Sequence, residues 1–275
     1  FCSFLCTDGK TIDESPLYNP NEPFKNRDPR CSYTIVEFDS NYFGYNYTVH
    51  PDSAQCWNYN LAQFVPNKDS KAGDQYASYN GLMLRKGIDE DWGDDFFANN
   101  DKLIMRYADV LLMYAEAKIE LGDIDQSVLD AMNMVRARAY KVAYTSNNYP
   151  KITETDKSRL RRILRIERRM EFAFEALRYD DIIRWKIAET VMNRPNYGLP
   201  TSVTDCKKLV TSQLWFFGGI PEIEENGCPD FSKMNNISKY RVLSKRVFDA
   251  QKNYLWPIPA SEILINPALG NNPNY

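Results

Sequence analysis

The stretch Arg159–Lys186, RLRRILRIERRMEFAFEALRYDDIIRWK, is the longest strongly periodic, charged segment of the chain, and its reading decides the fold. At about 100° per residue, Leu160, Ile163, Leu164, Met170, Phe174 and Leu177 gather on one face of a helix pair, while Arg161, Arg162, Arg165 and Arg169 point the other way as a solvated face. Glu167 and Glu171 interrupt the apolar face one turn apart. An ionised carboxylate there is costly unless it is paired and hydrogen-bonded. Arginines from elsewhere, such as Arg106, Arg178 or Arg184, are the expected partners.

Chemistry is a weaker reading of the two glutamates. Sugar-cleaving carboxylates flank a bond from two sides, whereas these project from one helix toward its packing partner. A carboxylate metal bundle wants a histidine three residues after a glutamate, and the single histidine is His50. The arginine run is interleaved with glutamates in a chain of net charge −3, which argues against nucleic acid and against an anionic membrane surface. The two glutamates are therefore expected to be buried anchors.

Working outward, Leu103–Leu121 is apolar around most of its circumference, so it is expected to be a helix buried on more than one side. Gly122 sits where a C-terminal cap belongs, and Asp123 or Asp125 can cap a following helix whose inner face is Val128, Leu129, Met132, Val135 and Ala139. Ala115 and Ala117 permit close approach, as in a tetratricopeptide-type unit. Residues 157–192 make a second hairpin, with Asp180 as a cap and Ile183, Ile187 and Val191 inside. Near residue 28, Arg27 and Arg30 bracket Asp28, which predicts an internal Arg–Asp bond locking that loop.

The 275 residues form one unit with three regions: a loop-rich ligand-side region over 1–102, helix pairs over 103–192, and loops with a terminal hairpin over 193–275. In the first, short β-type runs at Tyr33–Val36 and Gly81–Leu84 alternate with polar loops. In the last, residues 241–258 read as a hairpin followed by an extended, proline-rich tail. The acidic cluster Asp89, Glu90, Asp91, Asp94 and Asp95 does not match a calcium loop, and the six cysteines have no paired zinc spacing, so no metal or cofactor is predicted. Those cysteines allow up to three disulfides or remain buried thiols. No stretch approaches the ~20 apolar residues that span a bilayer. The start at Phe1, without Met, suggests an upstream part.

Aromatics reach 13% of the chain, and many fall outside the helical segments. Mixed with Asn and Asp they suit sugar binding, because a ring stacks on the C–H face of a pyranose while amides and carboxylates bond its hydroxyls. Composition therefore nominates Trp57, Tyr59, Tyr45 and Trp92 as stacking platforms, Asn58 and Asn60 as polar partners, and Trp215 as a further candidate in a second loop.

Four strings then resemble, in order, the SusD/RagB family of surface lipoproteins that work with TonB-dependent outer-membrane transporters. Asp8-Gly9-Lys10 with Asn26–Arg30 resembles the family's mid-chain loop, and Arg106–Ala117 (RYADVLLMYAEA) its third-repeat helix. Glu167-Arg168 with Glu171, Glu175, Arg178 and Arg184-Trp185 resembles its helix pair, and Trp256-Pro257-Ile258-Pro259 with Glu262, Asn266-Pro267 and Asn272-Pro273 its terminal signature. Asn271 stands where the family usually has Gln, and Asn274 where it often has Gly. The resemblance spans nearly the whole chain but only the carboxy-terminal half of a member. It implies a mostly α fold of tetratricopeptide-like helix pairs, a SusD-like α-superhelix with long irregular loops and small β-hairpins. The implied role is non-catalytic binding of oligosaccharide or polysaccharide at the extracellular face of the outer membrane and delivery to a SusC-like transporter, with an upstream lipid anchor. Peptide capture by the same type of complex, or a purely structural interaction scaffold, are the alternatives. The matched strings are scaffold motifs, so they nominate no binding residue.

Overall fold

The computed structural model describes residues 1–90, 103–216 and 218–275. In chain order, a short helix α1 (Arg30–Thr34) leads into strands β1 (Ser40–Tyr42), β2 (Tyr45–Tyr47), β3 (Gln55–Asn58) and β4 (Gln63–Pro66). Helices α2 (Tyr107–Leu121), α3 (Gln126–Ala139), α4 (Lys157–Glu171), α5 (Leu177–Arg184) and α6 (Ala188–Met192) follow. Strand β5 (Asn196–Gly198), helix α7 (Val203–Thr211), strands β6 (Glu222–Ile223) and β7 (Pro229–Asp230), a 3-10 turn (Ile237–Lys239), strand β8 (Arg241–Ser244) and helix α8 (Ala260–Ile265) complete the described elements. The fold is helix-rich with small antiparallel strand pairs, as the sequence implies.

The α2–α3 hairpin forms for local reasons. Gly122 takes the left-handed conformation at φ 79°, and its N–H returns to the carbonyl of Ile119, closing α2. Asp125 caps α3 by accepting the Ser127 N–H at 2.9 Å. Against this hairpin lies α4, capped by Asp156 accepting the Arg159 N–H. The three helices enclose Leu112, Ile119, Val128, Met132, Leu160 and Leu164 in one core. A Cβ at 122 would meet only the tip of Lys157, at 4.0 Å, so crowding is no obstacle there. Gly122→Ala is therefore expected to cost only the left-handed backbone term, about 1–2 kcal/mol by denaturant unfolding.

Several expectations are corrected. Helix α2 buries a single stripe, Ala108, Leu112, Ala115 and Ile119, because α3 and α4 both lie on that side; Tyr107, Val110, Met113, Tyr114, Ala117 and Leu121 are exposed. The arginine face of α4 is half-buried rather than solvated. Arg162 donates to the Ile223 carbonyl and pairs with Glu14, Arg169 donates to Ser3 Oγ, and Arg165 stacks over Trp185. Phe174 leaves the apolar face, since α4 ends at Glu171 and Phe174 turns through φ 63° into solvent. Asp180 does not cap α5, whose preceding residue is Ala176 at φ 66°.

The strands also differ from expectation. Tyr33 and Thr34 end α1, and only Ile35 bridges to Leu84. The sheet lies further on, as β1-β2-β3-β4. Strand β8 pairs with β5 instead of folding onto residues 254–258, and the tail carries α8. All six cysteines are free thiols, five of them buried.

Candidate functional site

The four-stranded sheet sorts its side chains by parity. Along β3, Cys56 and Asn58 point inward and are buried, so Trp57 between them faces outward. Its cross-strand partner on β4 is Phe64, which is 64% exposed, and the two rings meet edge to face at 5.2 Å between centroids. This pair is an apolar, outward-facing surface carried on paired strands. Tyr59 stands at the turn after β3, exposed, with its N–H on the Gly44 carbonyl at 2.7 Å.

The other nominated residues fall elsewhere. Tyr45 is opposite Asn58 in the register, so it shares the inner-face parity with Tyr47 and is exposed only at the sheet's rim. Asn58 is 3% exposed, and its Oδ1 accepts the N–H groups of Asn60 and Leu61, which fixes the turn. It is a positioning residue rather than a free polar partner. Asn60 is exposed and lies over Gly44; a Cβ at position 44, where φ is 79°, would sit 2.3 Å from its carboxamide. Trp92, with Asp91, Asp94 and Asp95, lies outside the described residues.

Trp215 belongs to a separate surface. It packs against the cluster of Val36, Tyr47 and Val49, on the side of the sheet away from Trp57, and meets the His50 ring at 5.5 Å. With His50, Glu37, Asp39 and Thr48 it lines a cavity of about 460 Å³. The neighbouring Phe216 is buried, and Phe217 is outside the described residues. Phe64 and His50 are candidate site residues that composition did not nominate. A larger cavity, about 1060 Å³, is lined by no aromatic residue, and its charged groups are largely paired, as Glu14 with Arg162 and Glu154 with Arg159.

Behind the sheet stands the charged core that positions it. Arg30 of α1 clamps Asp28 through Nε and Nη2 (2.9 and 2.7 Å) and reaches Glu167 at 2.7 Å and Glu171 at 3.1 Å. Arg136 closes on the other oxygen of Glu167 at 2.7 Å, while Arg106 and Arg138 reach Glu171. Of the expected partners only Arg106 is used. Arg178 instead donates to the Asn226 carbonyl, and Arg184 pairs with Glu116 and Asp181. Burial alone would raise the Glu167 carboxyl; the Arg136 and Arg30 guanidiniums outweigh it and hold it below the ordinary carboxylate range. Glu167 is 0% exposed, so it cannot meet a substrate. The network docks α1, and the sheet that follows it, onto α4.

The comparisons agree with this architecture. A SusD-like carbohydrate-binding protein of Bacteroides fragilis is similar at 32% identity and TM-score 0.70, over 98% of this chain and 47% of that one. A second SusD-like protein of the same species shares the fold at TM-score 0.60 and 24% identity, over 100% of this chain and 45% of that one. SusD-like protein P2 of Formosa agariphila is 29% identical over 203 residues, 73% of this chain and 30% of the relative. SusD-like protein P38 of the same organism is 31% identical over 127 residues, 45% of this chain and 24% of the relative. The chain thus spans under half the length of each. The model of the SusD family matches residues 2–275. From the helix hairpin to the Glu-Arg core and the terminal strings, the chain belongs to the SusD family.

Proposed function

We propose that the protein binds oligosaccharide at the outer face of a lipid-anchored, outer-membrane assembly, without turning it over, and passes it to a SusC-like TonB-dependent transporter. The observation that carries the binding step is the Trp57–Phe64 pair, held outward on paired strands with Tyr59 beside it. Rings fixed by a sheet stack on a sugar face at little entropic cost. Membership of the SusD family and similarity to a carbohydrate-binding structure support the ligand class. The same kinship supports the transporter partner and the membrane location.

The test is glycan binding by calorimetry. Trp57→Ala and Phe64→Ala are each expected to weaken affinity about tenfold, on the order of 1–2 kcal/mol, while leaving thermal stability within about a degree or two, since both rings face outward. Unchanged affinity in both variants would reject the sheet as the binding surface. Trp215→Ala then reports whether the second cavity carries the ligand instead.

A further inference from the structure

A cavity of about 320 Å³ opens where α1, the end of α3 and the end of α4 meet, lined by Arg30, Lys86, Arg106, Arg138 and Lys141 against Glu171 and Glu175. The carboxylates are already engaged. Glu171 accepts from Arg30, Arg106 and Arg138, and Glu175 from Arg106 and Lys86. Behind them, Asp28 and Glu167 are held by Arg30 and Arg136. Among the described residues, the network therefore sets six cationic side chains against four anionic ones, an excess of two positive charges.

That excess sits at the mouth. The Arg138 side chain is 58% exposed and binds Glu171 through Nη2, and its other guanidinium N–H groups have no acceptor among the described residues. Lys141 is exposed, forms no ion pair among the described residues, and holds its ammonium 5.1 Å from the centroid of the exposed Tyr33 ring. A forked donor, an exposed ammonium and an exposed aromatic ring around a space that fits one sugar ring match a single chemistry. We propose that this cavity takes the oxyanion group of an acidic sugar, either the carboxylate of a uronic residue or a sulfate ester.

The proposal rests on the glycan-binding reading and adds a charge preference to it. Calorimetry at low salt compares a neutral oligosaccharide with its uronate and sulfated counterparts, for the unaltered protein and for Arg138→Gln/Lys141→Gln. Both residues are exposed, so the double variant is expected to fold, which its melting curve checks. The acidic ligands are expected to bind about tenfold or more tightly than the neutral one, the variant to lose that gain, and its neutral affinity to stay the same. A gain for only one acidic ligand identifies the group taken. Equal binding of neutral and acidic ligands, or a gain that survives in the variant, overturns the oxyanion site while leaving the proposed function standing. If no oligosaccharide binds, the functional reading fails, and titration with inorganic sulfate and free glucuronate decides the cavity: binding lost in the variant retains the site, and no binding rejects it.

Discussion

Replacing Glu167 by alanine is expected to destabilise the protein by roughly 3–5 kcal/mol, the range for breaking a buried ion pair by removing one partner. The cost falls on Arg136. Arg30 would keep Asp28 and Glu171, but Arg136, itself buried, would retain as hydrogen-bond acceptor among the described residues only the Pro150 carbonyl at 3.0 Å. A buried guanidinium in that position has lost the carboxylate it hydrogen-bonds without regaining water. Removing both charges avoids the orphan, so Glu167→Met/Arg136→Met is expected to be more stable than Glu167→Ala by 1 kcal/mol or more. Urea unfolding of the three proteins checks this. A double variant as unstable as the single one would mean that the pair is held for packing volume, not for charge matching.

The helical part of this fold could be read from the sequence because its signals are local. Gly122 and Asp125 act within one turn of where they stand, and the stripe Val128, Leu129, Met132, Val135 is visible as a period. Two glutamates on an apolar face announce buried partners, but not which ones. Arg106 was accessible by reasoning; Arg30 comes from 137 residues away, on a helix of five residues that no period reveals. Arg138 reads as an ordinary last-turn cation until α4 is placed beside it. Hydrophobicity around the whole of α2 states that the helix can be buried on several sides, yet which faces are covered depends on neighbours.

The candidate site is less legible for a related reason. In Gln55-Cys56-Trp57-Asn58 either parity is a plausible inner face, and only the packing of Cys56 and Asn58 turns Trp57 outward. Phe64 then follows from register, since it lies opposite Trp57, and register is a tertiary fact. Composition nominates an aromatic-rich region only as a region. It could not separate Tyr45 and Trp215 from Trp57, because the sheet that divides them is short and its strands have no strong alternation.

Acid is expected to unfold the protein through the same core. Asp28, Glu167 and Glu175 all have carboxyls held below their ordinary range: burial would raise each, and neighbouring cations, led by Arg30 for Asp28, Arg136 for Glu167 and Arg106 for Glu175, overcome it. A group whose pKa is depressed on folding contributes stability that is fully present above its unfolded value and is lost as pH falls through its folded value. Stability should therefore change little between pH 7 and 5 on account of these groups and fall steeply below about pH 4. Protonating Glu167 takes from Arg136 the carboxylate it hydrogen-bonds, as the alanine substitution does, so the loss from that site alone should approach 3 kcal/mol. Urea midpoints measured from pH 7 to pH 2.5 give the profile, and Glu167→Met/Arg136→Met should show a visibly shallower acid limb. Parallel acid limbs in the two proteins would place the acid sensitivity in other carboxylates and remove Glu167 from the account.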